Sequence, residues 1–278
     1  MERKCYAKIN LTLDSLKKRE DGYHEIDSIM TRINLFDELI IKRNNENKFN
    51  YIASKDDICD IKDNLIYKVW DILKDRVESF GVDVKLIKNI PVAAGLAGGS
   101  TDAAEMIKAL NELWDLNMTR DEMMEIGKRL GADIPFFFLE SNARARGIGE
   151  KLTSFSNKLK MKILLINDGT AISSAFVYKR LKDYGTIDNE RIIKGLEEGR
   201  TEVIKDFRNV MEDVIYDNFP HLLDIRNRLL DLGAENALVS GSGASIFAVF
   251  LEDKALEKAY HTLKYDYQRV LKVGLVDD

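Results

Sequence analysis

The chain begins with a run in which apolar and polar residues alternate. Over residues 5–13 one side of the run is apolar and the other polar, with Ala7, Ile9, Leu11 and Leu13 on the first side and Lys8, Asn10 and Thr12 on the second. Because a strand points every second side chain to the same face, we predict a strand in which Lys8 and Asn10 project together. A lysine on a half-solvated strand is common, so this pattern alone assigns Lys8 no function.

A second alternating run leads into a glycine-rich segment and then into a helix. Residues 82–87 alternate and predict a strand. From residue 103 onward the apolar side chains return at the spacing of one helix face, at Met106, Ile107, Leu110, Leu113 and Trp114. The connection, residues 91–104, carries three glycines and then two hydroxyl side chains: Gly95, Gly98, Gly99, Ser100 and Thr101.

A glycine-rich turn at the start of a helix is suited to binding phosphate. The N–H groups of the first helical turn have no partner within the helix, and the helix dipole adds positive potential there. An ordinary strand-to-helix connection would explain one glycine pair, but three glycines followed by two hydroxyls favour phosphate binding. The segment lacks the Gly-Lys-Ser/Thr ending of a Walker loop and the third spaced glycine of the dinucleotide fingerprint, so it belongs to neither class.

Apolar spacing predicts the other elements of the first half of the chain. Residues 26–41 are rich in isoleucine and leucine and predict one or two strands. Asn64 is predicted to start an amphipathic helix. Thr119 and Glu122 have the form of a capping box, and we expect the helix that they begin to end at Gly131.

Two short polar sites stand out from this pattern. Asp133 lies between a helix end and three phenylalanines, so we expect a partly buried carboxylate; its alternative role is that of a capping or turn aspartate. Asp21 and Gly22 form a turn signal that places Tyr23 and His24 side by side. A lone histidine is more often a satisfied structural residue than a ligand contact, so this pair by itself carries no assignment.

The character of the chain changes near residue 155, and we predict domains at 1–155 and 156–278. The second domain is predicted to contain a strand at 162–166, helices between 173 and 233, strands at 237–239 and 246–251 around a tight turn at 240–245, a helix at 253–265 and a strand at 268–274. Without its inserted helices this order is β-α-β-β-α-β, which predicts a ferredoxin-like domain.

Composition narrows the class of protein. The chain has 278 residues, which suits one large or two modest domains, and 45% of them are hydrophobic, enough for real cores. Only 3 prolines and the lack of a biased tract argue against disorder. Acidic and basic residues are interleaved and the net charge is −5, which disfavours nucleic acid or an anionic membrane as the main partner. Cys5 and Cys59 are too few for a disulfide framework or a zinc site. With no apolar signal segment or membrane-length run, we expect a cytoplasmic protein.

Several motifs together resemble the GHMP kinases, the superfamily of galactokinase, homoserine kinase, mevalonate kinase and phosphomevalonate kinase. Residues 91–104 resemble their second signature, and Ser240-Gly-Ser-Gly-Ala-Ser245 resembles their third. Residues 7–11, 21–24 and 131–137 resemble the branch that acts on a cytidine diphosphate-linked methylerythritol. The match follows the expected order along nearly the whole chain.

This resemblance implies an α+β, two-domain GHMP kinase fold. Its N-terminal domain is expected to be similar to part of a ribosomal protein, and its C-terminal domain to be ferredoxin-like. The implied reaction is ATP-dependent phosphorylation of the 2-hydroxyl of the cytidine diphosphate-linked methylerythritol in the non-mevalonate isoprenoid pathway, with Mg²⁺ on the phosphates. A GHMP kinase for another small alcohol and a catalytically silent nucleotide-binding protein of this fold stay open. We expect a monomer or weak homodimer.

The resemblance also implies roles for individual residues. Asp133 matches the catalytic base that takes the proton of the attacking hydroxyl, and Lys8 matches the lysine that keeps this base ionised. The residues expected to contact the substrate are Asn10 for its sugar-like chain and, for its cytosine, Tyr23, His24 and Tyr178.

For ATP, the resemblance implies a phosphate loop with Pro91, Gly95, Leu96, Ala97, Gly98, Gly99, Ser100 and Thr101. Asn64 and Lys88 fall where relatives line the adenine pocket, and Ser100 or Thr101 is the expected hydroxyl near Mg²⁺. Many relatives have glycine where this chain has Ala97. Because alanine at positive φ would cost about 1–2 kcal/mol, we expect a negative φ there.

Overall fold

A computed structural model describes residues 1–54, 60–77, 81–139, 142–182 and 184–276. Within these residues the strands are β1 (Glu2–Lys18), β2 (His24–Asn44), β3 (Phe49–Ala53), β4 (Gly81–Ile87), β5 (Asn142–Gly147), β6 (Lys151–Phe155), β7 (Lys162–Asn167), β8 (Asn236–Val239), β9 (Ile246–Phe250) and β10 (Arg269–Gly274). The α-helices are α1 (Leu65–Leu73), α2 (Gly98–Leu113), α3 (Arg120–Leu130), α4 (Ser174–Tyr178), α5 (Asn189–Glu198), α6 (Glu212–Asn218), α7 (Pro220–Asp231) and α8 (Asp253–Leu263). Shorter 3₁₀-helices occupy Ile61–Asp63, Lys74–Arg76, Ile134–Phe138 and Thr201–Asp206.

The described residues also bear on membrane-spanning helices and on the two cysteines. None of the helices within these residues has the length and apolar character needed to cross a membrane. Cys5 is buried and has a free thiol, whereas Cys59 lies outside the described residues.

The chain divides into two compact units, each built from separate stretches. The first unit contains Met1–Ala7, Leu35–Val92 and Ala97–Glu140, and the second contains Lys8–Asn34, Ala93–Leu96 and Ser141–Asp278. β1 and β2 are long strands that each contribute residues to both units. The predicted domain boundary near residue 155 divides the sequence in a different way and stays a prediction.

The first unit combines a small sheet with the first three helices. The end of β2 pairs antiparallel with β4, from Glu38 opposite Ile87 to Asn44 opposite Gly81, and β3 lies parallel to β4. α1 packs against α2, α2 packs against α3, and the short helix Ile134–Phe138 packs against both α2 and α3. The buried apolar side chains of this unit include Leu39, Ile41, Ile66, Val69, Val84, Leu86, Met106, Leu110, Phe136 and Phe137.

Local capping explains where two of these helices start. The helix α1 begins at Asn64 as predicted, and the structure adds the reason: the side-chain oxygen of Asn64 caps the helix by accepting a hydrogen bond from the N–H of Ile66 at 2.9 Å. Thr119 and Glu122 form the complete capping box of α3, which confirms that prediction. The helix α3 ends before Gly131, also as predicted.

The second unit contains a four-stranded antiparallel sheet in the order β10-β7-β9-β8. Helices α4 to α7 connect β7 to β8, and α8 connects β9 to β10, which confirms the β-α-β-β-α-β order. Buried side chains of the sheet and helices form one core with Leu164, Ile166, Ile215, Leu222, Leu229, Val239, Ile246, Phe250, Leu256 and Leu263. This unit also contains the paired strands β5 and β6 and the first part of β2, which pairs with β5.

The strand β1 differs from a half-solvated strand. Every residue from Ala7 to Ser15 is buried, including the polar side chains of Lys8, Asn10 and Thr12. Buried polar groups destabilise a fold unless they are hydrogen-bonded. These three side chains are hydrogen-bonded, so β1 carries a buried and ordered polar cluster.

Candidate active site

The loop between β4 and α2 has a strongly coiled backbone. Its φ angles are +52° at Ala93, +76° at Gly95 and +54° at Ala97. Ala97 directly precedes α2, and its carbonyl accepts the first helical hydrogen bond, from the N–H of Thr101 at 3.0 Å. The expected negative φ at Ala97 is therefore wrong, because the chain enters the helix through a left-handed residue at that position.

The first turn of α2 offers backbone N–H groups to an anion. Because the first helical bond uses the N–H of Thr101, those of Gly98, Gly99 and Ser100 precede it. A side chain at Gly98 would be tight, since an added Cβ would lie 3.0 Å from Ile90 Cγ2. Gly99 is exposed, and its backbone is open to a ligand. With the positive end of the helix dipole, this geometry suits phosphate.

The middle of the loop is held by contacts within the second unit. The N–H of Lys8 donates to the carbonyl of Leu96 at 3.1 Å, and the Ser240 hydroxyl donates to the carbonyl of Gly95 at 3.0 Å. Gly95 has no space for a side chain, because an added Cβ would lie 1.9 Å from the carbonyl oxygen of Ser240. The tight turn 240–245 and β1 therefore both contact this part of the loop.

The side chains of Lys8 and Asn10 share one face of β1, as predicted. Lys8 Nζ donates to Asn10 Oδ1 at 2.7 Å, and both residues are only 4% exposed. On the other side, Asn10 Nδ2 donates to Ser28 Oγ at 2.8 Å, and Ser28 Oγ donates to the carbonyl of Thr12 at 2.5 Å. We did not select Ser28 from the sequence, where it was one serine within the apolar run of β2.

Lys88 lies in a buried ion-pair cluster of the first unit. Its ammonium pairs with Asp37 and, at 2.8 Å, with Asp102. Asp37 Oδ1 also accepts from the N–H groups of Asn89 and Ile90, so the cluster holds the chain where it leaves β4. Burial raises the pKa of Asp102 to about 7, against the lowering effect of Lys88. The sequence does not predict a role for either aspartate, because both ion pairs depend on the fold and not on neighbouring residues in the chain.

This cluster gives Lys88 an interior position. Its side chain is 12% exposed, and its pKa is raised because Asp102 and Asp37 outweigh the opposing effect of burial. The other expected adenine contact, Asn64, uses its side-chain oxygen to cap α1. A role for either residue at adenine stays a prediction.

Asp133 lies at the start of the 3₁₀-helix Ile134–Phe138 in the first unit. It is half-buried, and its side chain makes no capping hydrogen bond to this helix, so the alternative role of a capping aspartate does not apply. The helix behind it is anchored by Lys108, whose Nζ donates to the carbonyl of Phe137 at 2.7 Å. Buried aromatic packing and this bond hold the backbone that presents Asp133.

Aromatic rings gather around His24 in the second unit. The ring of Tyr178 stacks on His24 with centroids 5.0 Å apart, and that of Tyr184 lies parallel to it at 6.1 Å. Burial, and secondarily Lys18, lowers the pKa of His24, so its imidazole is neutral at pH 7 and can both donate and accept. Tyr23 is 62% exposed next to this group. The structure brings His24 and Tyr178 together and adds Tyr184, which the sequence does not predict; a role for these rings at cytosine stays a prediction.

The described residues contain no cluster of three or more His, Cys, Asp or Glu side chains arranged to hold a metal ion. Magnesium in nucleotide sites typically keeps few protein ligands and binds phosphate oxygens and water. Ser100 and Thr101, in the first turn of α2, are hydroxyls of the kind that accompany such an ion, and the Thr101 side chain is buried. The donor set is therefore compatible with a phosphate-bound cation.

Comparison with known proteins gives consistent matches. The GHMP kinases N terminal domain matches residues 64–141, and the GHMP kinases C terminal domain matches residues 192–269. A 4-diphosphocytidyl-2-C-methyl-D-erythritol kinase of Acetivibrio thermocellus is 40% identical over 267 residues, which cover 94% of each chain.

Solved structures give a similar result. The crystal structure of a 4-(cytidine 5'-diphospho)-2C-methyl-D-erythritol kinase matches with a TM-score of 0.87 and 29% identity over 100% of both chains. The structure of L. major mevalonate kinase in complex with R-mevalonate matches with a TM-score of 0.76 over 100% of this chain and 96% of that chain. At 16% identity this second match concerns the fold alone.

Proposed function

This chain belongs to the GHMP kinases, and we propose that it transfers a phosphoryl group from ATP to the 2-hydroxyl of 4-diphosphocytidyl-2-C-methyl-D-erythritol, a step of isoprenoid precursor synthesis. The observation that carries the proposal is the 40% identity, across 94% of both chains, to a relative named for this activity. The N–H groups at the start of α2 and the aromatic group around His24 are chemically suited to the two substrates.

ATP is the phosphoryl donor of GHMP kinases, and the loop 91–101 is its expected site in this chain. The N–H groups before Thr101 supply fixed dipoles for phosphate oxygens. Because these dipoles are already oriented, they need not reorganise during phosphoryl transfer. When bound, Mg²⁺ would neutralise phosphate charge. Ser100 and Thr101 are the residues that we propose to accompany it.

We propose that Asp133 removes the proton of the attacking hydroxyl and that Lys8 supplies the accompanying positive charge. An ionised carboxylate can accept this proton, and an ammonium stabilises both the carboxylate and the negative charge on the reacting oxygens. Each residue is held within its own unit, Asp133 by the anchored helix behind it and Lys8 by Asn10.

We propose that the cytosine ring binds at the aromatic group around His24. A neutral imidazole can donate to or accept from the edge of the base, and the phenol rings of Tyr23 and Tyr178 offer stacking surfaces. Asn10 is the proposed contact for the sugar-like chain. We further propose that the enzyme is cytoplasmic and that it is a monomer or weak homodimer.

The proposal is tested by measuring ADP release with four alcohols: the cytidine diphosphate substrate, homoserine, mevalonate and galactose. We expect turnover with the first and little with the others. Faster turnover with another alcohol would make this a GHMP kinase of different specificity. Binding of ATP without turnover of any alcohol would support a silent nucleotide-binding protein.

Asp133→Asn tests the proposed base in the same assay. We expect kcat to fall by about 10²–10⁴-fold, since general-base assistance has about that size, while ATP binding measured by calorimetry stays close to that of the wild type. Asp121→Asn is the matched control, because Asp121 is an exposed carboxylate on α3 of the same unit. Unchanged kcat in Asp133→Asn would remove this residue from the mechanism.

A further inference from the structure

We propose that Ser28 is a positioning residue for this reaction, because its hydroxyl fixes which end of the Asn10 amide faces the Lys8 ammonium. The inference rests on the proposed function, since it takes Lys8 as the group that acts on the reacting atoms. All three residues belong to the second unit and are connected by direct hydrogen bonds.

The direction of the hydrogen bonds at Ser28 follows from its partners. A hydroxyl has one hydrogen to donate, and the carbonyl of Thr12, 2.5 Å away, can only accept it. The oxygen of Ser28 must therefore accept from Asn10, 2.8 Å away, which requires the NH₂ end of the amide to face Ser28. The carbonyl end of Asn10 then faces Lys8 Nζ, 2.7 Å away.

The opposite orientation of the Asn10 amide would make two unfavourable contacts. Its NH₂ group would face the ammonium of Lys8, so that two donors would meet. Its oxygen would face Ser28, whose hydrogen is already donated to a carbonyl. Ser28 is 0% exposed and Lys8 and Asn10 are 4% exposed, so water is not at hand to relieve either contact.

The acceptor of the Ser28 hydrogen is itself held in place. Thr12 Oγ1 accepts from the N–H of Ile29 at 3.0 Å and donates to Asn189 Oδ1 at 2.6 Å. Asn189 Nδ2 in turn donates to the carbonyl of Asp27 at 3.0 Å. Hydrogen bonds therefore join β1, β2 and the start of α5 in one network in which each of these donors has an acceptor. Ser28 connects this network, through Asn10, to Lys8.

The test compares three single variants by steady-state kinetics. Ser28→Ala removes the acceptor for Asn10 Nδ2, and we expect kcat to fall by about 10–100-fold, the size of effect that small misplacements of reacting groups produce. KM for ATP should stay within about twofold, because the side-chain hydrogen bonds that join Lys8, Asn10 and Ser28 include no residue of the loop 91–101. Ser28→Thr keeps the hydroxyl and should restore kcat. Ser15→Ala is the control, since it removes a buried hydroxyl of β1 that has no hydrogen-bond partner among the described residues.

A double-mutant cycle separates positioning from general stability. If Ser28 acts through Lys8, Ser28→Ala should lower kcat no further in a Lys8→Met background. Multiplying effects in the double variant, wild-type kcat in folded Ser28→Ala, or no recovery in Ser28→Thr would each overturn the proposal. If Ser28→Ala does not fold, Ser28→Cys replaces it in the test. Cysteine keeps a side chain of similar shape at this position, but its thiol is only a weak hydrogen-bond donor and acceptor, so the same fall in kcat is expected.

A spectroscopic measurement keeps this test independent of the proposed function. The side-chain NH₂ of Asn10 should give slowly exchanging ¹⁵N-correlated signals in the wild type and in Ser28→Thr, and these should shift and exchange faster in Ser28→Ala. An unaltered Asn10 signal in Ser28→Ala would refute the proposed hydrogen-bond order even if the enzyme is active. A wild type without turnover of the cytidine substrate would instead refute the proposed function and leave this order standing.

Discussion

Ala97 has a backbone conformation that an L-residue adopts with difficulty. Its φ of +54° places it in the left-handed region directly before α2, although its side chain is only a methyl group. The composition of the loop did not predict this, because alanine ordinarily indicates negative φ. The surrounding coil, with positive φ also at Ala93 and Gly95, imposes the conformation on the residue.

Ala97→Gly should therefore stabilise the protein. Glycine adopts this φ without steric cost, and we expect the free energy of unfolding to rise by about 1 kcal/mol, after allowance for the extra freedom of glycine in the unfolded chain. Urea unfolding measures the change. Ala255→Gly, inside α8, is the matched control and should lose stability. A loss of stability in Ala97→Gly as well would contradict the φ observed at this position.

The raised pKa of Asp102 predicts a pH dependence of stability. Its pKa of about 7 in the folded protein lies above the ordinary value of 3.8, mainly because of burial. Between these pH values the folded state holds a proton that the unfolded state releases. Its contribution to stability is therefore fully present below about pH 4, falls as pH rises, and is lost above about pH 7.

Asp102→Asn should remove this titration. Relative to the wild type, the variant should become progressively more stable from about pH 4 to about pH 7, by at most about 1.4 kcal/mol for each pH unit, and the difference should level off above that. Asp37 remains as a partner for Lys88 in this variant. Thermal unfolding at several pH values measures the difference, and Asp83→Asn is the control, because the lowered pKa of exposed Asp83 predicts a constant difference above pH 5. A constant difference for Asp102→Asn would contradict the raised pKa.

At the scale of elements, the loop 91–101 and the turn 240–245 depend on each other. Gly95 approaches the carbonyl of Ser240 so closely that an added Cβ would lie 1.9 Å from its oxygen. Ser240 returns a hydrogen bond to the carbonyl of Gly95. The loop conformation therefore requires both a glycine at 95 and the turn beside it.

Gly95→Ala should raise KM for ATP and lower stability, because the loop or the turn must move to admit the methyl group. Gly199→Ala is the matched control. Gly199 also has positive φ, at +73°, but an added Cβ there would meet the nearest atom, Lys158 Cβ, at an ordinary 3.7 Å. We expect the control to lose about 1 kcal/mol with unchanged kinetics. Equal effects of the two variants on KM would show that backbone strain alone, and not the contact with Ser240, is responsible.

Most elements could be predicted because their signals are local. Correct predictions came from the capping box at Thr119 and Glu122, from the helix start at Asn64, and from the apolar spacing of the C-terminal helices and strands. The beginning of α2 was less predictable, since residues 98–102 carry loop-like glycine and hydroxyl residues although they form its first turn. The backbone hydrogen bonds of the first helical turn form there although the residue types favour a loop.

At the scale of the whole molecule, the candidate site was only partly predictable from sequence. The motifs led to Lys8, Asn10, His24 and Tyr178, and the second unit brings the first pair and the second pair into contact. Ser28 and the carboxylates that bind Lys88 were missed. Their roles arise from strand pairing and burial, which join residues far apart in the chain and leave no short pattern in it.

The central claim concerns both the reaction and the atom that receives the phosphoryl group. The most direct test incubates the protein with ATP, Mg²⁺ and ¹³C-labelled 4-diphosphocytidyl-2-C-methyl-D-erythritol and examines the product by ³¹P and ¹³C NMR. We expect a new phosphomonoester resonance with phosphorus coupling to C2 and to the carbons bonded to it, the branching methyl included. Coupling to a different hydroxyl-bearing carbon, or no new phosphomonoester, would contradict the account.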